Sequence, residues 1–190
     1  MIINLIDKNY AKILLFLAIS PGSRYSRKEI KEKTEMNNVP LDNSLNALIS
    51  LRLIKEENRI YSLNLENENV QQLMKEKQKI SNLPLKVQFI LLDFSDYILN
   101  LKSISRIILF GSYSKLIFSE KSDIDVAVIF ADKIKNREKA EKKILVFENK
   151  LSKKHKKSIQ AHFFLEKDLK HKEDPLIKDI VRNGISLTGD

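Results

Sequence analysis

The chain has 190 residues, of which 43% are hydrophobic and 31% charged, and it contains no cysteine. This length suits one medium domain or two small ones, and the lack of cysteine excludes disulfides and thiolate metal sites. No apolar run approaches the roughly 20 residues that span a bilayer. Residues 11–19 are mostly apolar, but Pro21 and Gly22 follow as a helix stop and no small-residue cleavage site is present. We therefore expect a cytoplasmic protein without a membrane segment.

The formal net charge of +9 is unevenly distributed along the chain. Residues 1–65 contain ten Lys or Arg and seven Asp or Glu, a net of +3. Residues 133–157 contain eleven Lys or Arg and three Glu, a net of +8. Such an excess suits nucleic acid or a charged substrate. A solvated helix face is the alternative, and the sequence leaves both open.

The first third of the chain has the pattern of a winged helix-turn-helix domain, which we assign to residues 1–65. Helices are predicted over residues 8–19, 27–35 and 41–53, and short strands over residues 53–55 and 60–63. Ser26 and Glu29 have the spacing of a capping box, which marks the start of the second helix. The run from Leu45 to Leu63 resembles the third helix and wing of archaeal and bacterial winged-helix regulators.

DNA binding by this domain is one of two expectations. Asn43 and Asn46 lie on the exposed side of the predicted recognition helix, where amide side chains can read base edges. The candidate phosphate contacts are Arg24, Arg27, Lys28, Lys55 and Arg59. The alternative is a winged helix that serves for dimerisation or for docking of a partner protein.

A helical connector is predicted over residues 66–101, and the domain boundary lies within it. Its first part is polar, whereas Pro84 opens a strongly apolar helix over residues 85–101. Because this helix is apolar on more than one face, we expect it to lie deep in a core or an interface. The pattern is compatible with a dimer.

The second half contains a constellation of residues suited to a metal and a phosphate. A mostly apolar strand over residues 106–110 ends in Gly111 and Ser112, and twelve residues after Gly111 comes Asp123, followed by Asp125. Because side chains alternate along a strand, the two carboxylates share one face. Adjacent carboxylates repel one another, and Mg²⁺ accepts carboxylate oxygens together with substrate phosphates. Glycine lets the backbone approach a phosphate, and serine adds a hydroxyl.

An Asp-x-Asp pair alone is more often a solvated pair at a strand edge, so its combination with Gly-Ser decides the interpretation. Phe110-Gly111-Ser112, followed by Ser122-Asp123-Ile124-Asp125-Val126, resembles the signature of the DNA polymerase β-type nucleotidyltransferase superfamily. The likeness is to its small archaeal and bacterial members, the minimal nucleotidyltransferases. It implies an α/β fold over residues 102–190, with a small mixed sheet and helices on one face.

The resemblance also implies roles, cofactors and a partner. Gly111 and Ser112 would hold the nucleoside triphosphate, and Asp123 and Asp125 would bind Mg²⁺ or Mn²⁺. Members of this group often pair with HEPN proteins, so a HEPN-type or other protein partner is implied.

The sequence departs from the family pattern at two places. Ser114 and Leu116 occupy spacer positions where the family commonly has a small residue and a glycine. The third carboxylate, which the family places on a later strand, has no acidic counterpart over residues 158–164. Gln160 is the best match and His162 the next. Glutamine can ligate a metal but is a poor base, whereas histidine can do either, although a packed structural role for His162 is the alternative.

Two further histidines, His155 and His171, lie in lysine-rich segments that we expect to be exposed, and no role is assigned to them. The leading functional hypothesis is metal-dependent transfer of a nucleoside monophosphate from an NTP to a hydroxyl acceptor in a protein or a nucleic acid. The alternatives are a DNA-binding transcriptional regulator and an antitoxin-like protein, either with a degenerate, nucleotide-sensing domain.

Overall fold

The computed structural model describes residues 7–101, 104–171 and 173–188. Contacts along the backbone divide the chain into two compact units, Met1–Leu92 and Asp93–Asp190. The first unit contains α1 (Lys8–Leu17), β1 (Tyr25–Ser26), α2 (Arg27–Thr34), α3 (Asn38–Ser50), β2 (Ile54–Glu57), β3 (Ile60–Leu63) and α4 (Glu68–Lys77). Helix α5 (Leu85–Leu99) crosses the division. The second contains β4 (Ile104–Phe110), α6 (Gly111–Ser114), β5 (Ile124–Phe130), α7 (Arg137–His155), β6 (Ile159–Leu165), a 3₁₀ turn (Glu166–Lys170), α8 (Pro175–Asn183) and β7 (Ile185–Ser186).

The first unit packs three helices beside a small antiparallel sheet with strand order β1-β3-β2. The predicted capping box forms at the start of α2, where the Ser26 side chain accepts from the Glu29 N–H and Glu29 caps the Ser26 N–H. Helix α3 begins at Asn38 rather than at residue 41, because Pro40 is tolerated in a first helical turn. The order of three helices and a hairpin is the predicted one, and its assignment as a winged helix stays a prediction.

Helix α5 is buried around most of its circumference, as its apolar pattern predicts. Its buried hydrophobic residues are Val87, Phe89, Ile90, Leu91, Leu92, Phe94 and Ile98. Such a helix cannot form a stable solvent-exposed linker, because its apolar surface needs a core on several sides. Across the described part of the chain, no helix combines the length and apolar character needed to cross a membrane.

The second unit is built on a four-stranded mixed sheet with strand order β6-β5-β4-β7. Strand β4 is antiparallel to β5 and β7, while β5 is parallel to β6. The long α7 joins the parallel pair, as a parallel connection requires. The predicted small mixed sheet is therefore confirmed.

Both faces of this sheet are buried, and α8 covers one of them. On one face, Ile180 of α8 packs with Ile108 and Ile129. On the other face, Val126 and Val128 are 0% exposed. Strand β5 is a continuous apolar run after Asp125, and a strand of this kind is typically covered on both sides.

Candidate active site

The turn after β4 lies directly against one of the two aspartates. Phe110, the last residue of β4, is paired with Asp125 of β5, and Gly111 follows with a φ of +72°. A Cβ atom at Gly111 would lie 2.5 Å from Oδ2 of Asp125. Glycine is needed here both for the backbone conformation and for the space that the carboxylate occupies.

Asp125 lies at the start of β5 and Asp123 directly before that strand. Burial makes the charge on Asp125 costly. The Asp125 side chain is 26% exposed. Burial raises its pKa above the ordinary value, the neighbouring Asp123 acts in the same direction, and His162 opposes the shift. A positive charge placed between the carboxylates would remove this penalty.

Gln160 and His162 of β6 lie beside these carboxylates. The parallel register pairs Asp125 with Gln160 and Ala127 with His162. The Gln160 amide donates a hydrogen bond of 2.8 Å from Nε2 to Oδ2 of Asp123. Nε2 of His162 lies 3.6 Å from Oδ1 of Asp125 and has no hydrogen-bond partner within the described residues. The structure thus brings together the predicted aspartates and both substitutes for the third carboxylate, while their roles stay predictions.

Glu148 of α7 is a further carboxylate near this cluster that the sequence analysis missed. Its Oε2 accepts a hydrogen bond of 2.8 Å from the N–H of Ala161 on β6. Burial raises the pKa of Glu148, whereas this hydrogen bond and the nearby His162 lower it. In the sequence Glu148 stands in a lysine-rich helix, where nothing distinguishes it from a solvated acid.

Asp179 of α8 fixes the turn that contains Gly111, and it was also missed. Its carboxylate accepts from Lys115 Nζ at 2.8 Å and from Asn183 Nδ2 at 2.7 Å. The Lys115 hydrogen bond lowers the pKa of Asp179 most, and Asn183 and the backbone N–H of Gly111 contribute in the same direction. The Asp179 carboxylate therefore holds the first part of the spacer against α8.

The spacer between the two motifs is folded onto itself. The rings of Tyr113 and Phe118 stack with centroids 4.4 Å apart, and the ammonium of Lys157 lies 5.3 Å from the centre of the Tyr113 ring. Leu116 has a φ of +59° and is 48% exposed. A left-handed backbone costs a non-glycine residue about 1–2 kcal/mol. The departure from the family pattern at Leu116 therefore falls where glycine is the favoured residue.

The donor set fits a hard divalent cation. No cluster of three or more His, Cys, Asp or Glu side chains placed to hold a metal exists in residues 7–101, 104–171 and 173–188. Mg²⁺ is commonly bound by one or two carboxylates and completes its shell with waters and substrate phosphates. Asp123 and Asp125 supply this number of carboxylates, and the Gln160 amide lies beside Asp123 through its Nε2.

The candidate DNA contacts in the first unit are largely engaged with acids of the same chain. Four of the five cations are ion-paired, namely Arg24 with Glu57 at 2.7 Å, Arg27 with Asp42 at 2.6 Å, Lys28 with Glu32 at 4.0 Å and Lys55 with Glu66 at 2.9 Å. Arg59, Asn43 and Asn46 are exposed. Since each paired cation must leave an acid to reach a phosphate, the net electrostatic gain from DNA is reduced.

The expectation that His155 is exposed is wrong. Its side chain is 9% exposed, and Nε2 lies 3.6 Å from Oδ2 of Asp93. Lys154 Nζ lies 3.3 Å from the same oxygen. The end of α7 packs against α5 at this point, which the lysine-rich local sequence does not reveal. His171 is exposed as expected.

A family model described as "Polymerase beta, Nucleotidyltransferase" matches residues 93–190, just over half of the chain. A solved structure described as "Crystal structure of the toxin-antitoxin with AMP-PNP" is 28% identical in sequence. That match covers 55% of this chain and 72% of the other, with a TM-score of 0.36. No curated protein matches the chain.

Replacing Asp125 with asparagine should stabilise the metal-free protein at neutral pH. The pKa of Asp125 is raised in the folded state, so the stability that its neutral carboxyl allows is fully present below the unfolded-state pKa. The wild type loses this stability as the pH rises through the folded-state pKa and the carboxyl ionises. Asp125→Asn cannot ionise, so the difference in melting temperature between the variant and the wild type should shrink as the pH falls toward the ordinary carboxyl range. Thermal unfolding in EDTA from pH 4 to pH 8 measures the difference. An asparagine variant that is less stable than wild type at neutral pH would contradict this expectation.

Proposed function

Because the chain belongs to the Polymerase beta nucleotidyltransferase family, we propose that it transfers a nucleoside monophosphate from an NTP to a hydroxyl acceptor in the presence of Mg²⁺ or Mn²⁺. The observation that carries this proposal is the contact of Gly111 with Asp125, together with an Asp123 charge close enough to act on Asp125. The two carboxylates are partly exposed, and such a pair remains electrostatically unfavourable until a cation joins it.

Asp123 and Asp125 would hold the divalent cation, which when bound supplies positive charge to the triphosphate oxygens. Ser112 follows the Gly111 turn, and its hydroxyl makes no hydrogen bond to the rest of the described chain, which leaves it available to a phosphate oxygen. Gly111 presents only hydrogen where another side chain would fill the space next to Asp125. These groups position the nucleotide with its α-phosphorus toward the acceptor.

The reaction balances as an in-line displacement. The acceptor oxygen forms a bond to the α-phosphorus, the bond from that phosphorus to the bridging oxygen breaks, and pyrophosphate leaves. The acceptor proton needs a base, and Gln160 cannot take it, since a neutral amide is not basic. His162, 3.6 Å from Asp125, is the nitrogen base at this edge of the sheet and is assigned this role.

Metal-dependent nucleotide binding is the first test of this proposal. ATP, GTP, CTP and UTP are titrated with Mg²⁺, Mn²⁺ or EDTA while thermal unfolding is followed. At a hundredfold excess over Kd a ligand adds about 2.7 kcal/mol of stability. At least one NTP should stabilise the wild type only with a divalent ion, and Asp125→Asn should lose the effect.

Glu138→Gln is the matched control for that titration, since Glu138 is an exposed acid of α7 outside the aspartate cluster. The control should keep the full nucleotide-induced shift. The proposal fails if no NTP stabilises the wild type with either metal, or if the Glu138 and Asp125 variants respond alike.

A second candidate function is nucleotide sensing without transfer, and the observation that favours it is Gln160. Its amide occupies the register position beside Asp125 and donates to Asp123, where the resemblance would place a third carboxylate. A site of this kind would bind the metal and the nucleotide but lack the charge and the basicity of the missing acid. The protein would then act as a regulator or an antitoxin-like partner whose state depends on NTP.

Gln160→Glu separates the two functions, because it supplies the missing carboxylate without changing side-chain length. If the wild type is a sensor, the variant should gain transfer of labelled NMP to water or to an added acceptor, by about tenfold or more. If the wild type is already an enzyme, the variant should change its rate much less. Gln160→Met is the control, because it removes the hydrogen bond to Asp123 and adds no ligand. Equal rates in the Glu and Met variants would show that position 160 has no part in transfer.

DNA binding belongs to the second candidate and is tested by gel shift over a salt series. The internal ion pairs of Arg24, Arg27, Lys28 and Lys55 predict weak binding with a shallow dependence on salt. Tight binding with a steep salt slope would show that these pairs open on DNA. No complex at low salt would favour the alternative that the first unit docks a protein.

A further inference from the structure

Lys77, the last residue of α4, is a buried lysine of the first unit. Its exposed fraction is 4%, whereas Lys75 on the same helix is exposed. The end of a helix favours a cation through its dipole, but this effect is small beside the cost of removing a charge from water. Burial accordingly lowers the pKa of Lys77.

No acid of the described chain compensates this charge. Lys77 makes no ion pair or side-chain hydrogen bond to the residues that the structure describes. Lysine is almost never buried to this extent unless it is paired. The Lys77 ammonium is therefore a cation without a counter-ion among the described residues.

The Lys77 side chain lines a cavity of about 310 Å³. The apolar part of the lining is Ala18, Ile19, Pro21, Met74, Leu83 and Leu85. Gln78, Ser81 and Gln88 add polar groups. This size is at the lower end of the about 300–1,000 Å³ of small-molecule sites.

Gln88 contributes a buried, unpartnered acceptor to the lining. Gln88 is 3% exposed, and its Nε2 donates to the carbonyl oxygen of Leu83 at 2.8 Å. Its Oε1 is buried and accepts no hydrogen bond from a described residue. The cavity thus offers one cation and one orphaned acceptor, which suits an anion that also carries a donor.

We propose that this cavity binds a small monocarboxylate with an apolar body. One carboxylate balances the single charge of Lys77, whereas a phosphate dianion would exceed it. The hydrocarbon part fits the apolar wall, and a hydroxyl or amino group on the ligand would reach Oε1 of Gln88. This site uses none of the residues around Asp125, so the proposal of carboxylate binding does not depend on the proposal of nucleotide transfer.

The test compares carboxylates with their uncharged amides on the intact chain. Isovalerate, hexanoate, benzoate and 2-hydroxyisovalerate are titrated beside the four matching amides and beside inorganic phosphate, with binding measured by ligand-observed NMR and calorimetry. We expect saturable binding of one or more carboxylates in the millimolar range or tighter. The matching amide should bind about tenfold more weakly or not at all, since it lacks the charge-assisted contact.

Lys77→Met should abolish carboxylate binding and raise the melting temperature of the unliganded protein, because it removes a charge that burial of the side chain disfavours and that no described acid balances. Lys75→Met, two residues away and exposed, should retain wild-type affinity. The proposal is overturned if no carboxylate binds the wild type, if the amides bind equally well, or if the two lysine variants respond alike. Binding of phosphate alone, lost in Lys77→Met, would overturn the assignment of a monocarboxylate. The measurements on wild type decide the matter even if Lys77→Met fails to fold.

Discussion

The pairing of β4 with β5 is the constraint on which the candidate site depends. It sets Phe110 opposite Asp125, so that the chain must turn at Gly111 within contact distance of a carboxylate. The same register buries Val126 and Val128 below the site. A slip of one residue would exchange the two faces of β5, moving Asp125 into the core and the valines to the other side. Core packing therefore enforces the position of the acid.

Within this frame, the charge of the two aspartates is only partly balanced by the chain itself. Asp123 accepts a hydrogen bond from the Gln160 amide. Asp125 is half-buried, and its Oδ1 lies 3.6 Å from Nε2 of His162. Burial, more than the charge of Asp123, raises the pKa of Asp125. Under the proposed function, a metal-nucleotide complex would supply positive charge beside these carboxylates.

Sequence reasoning was most effective where local pattern decides structure. Alternation along residues 123–129 predicted a shared face for the aspartates, and the family resemblance predicted Gln160 beside them. It failed where the partner lies far along the chain. Asp179 meets Lys115 only because α8 crosses the sheet at that point, and His155 is buried although its neighbours in sequence are lysines. Lys77 likewise looks like any solvated lysine until the packing of α4 is known.

The close approach of Gly111 to Asp125 bears on how this motif would change over evolutionary time. Any side chain at position 111 would collide with the carboxylate whether or not a nucleotide is bound. A lineage that had abandoned catalysis would therefore still select against mutation of this glycine for as long as an acid remained at position 125. Within such a lineage, conservation of Gly111 with Asp125 would reflect selection for folding and not for catalysis. The identity of the residue at position 160, which no backbone contact restricts in this way, would be the more informative record of chemistry.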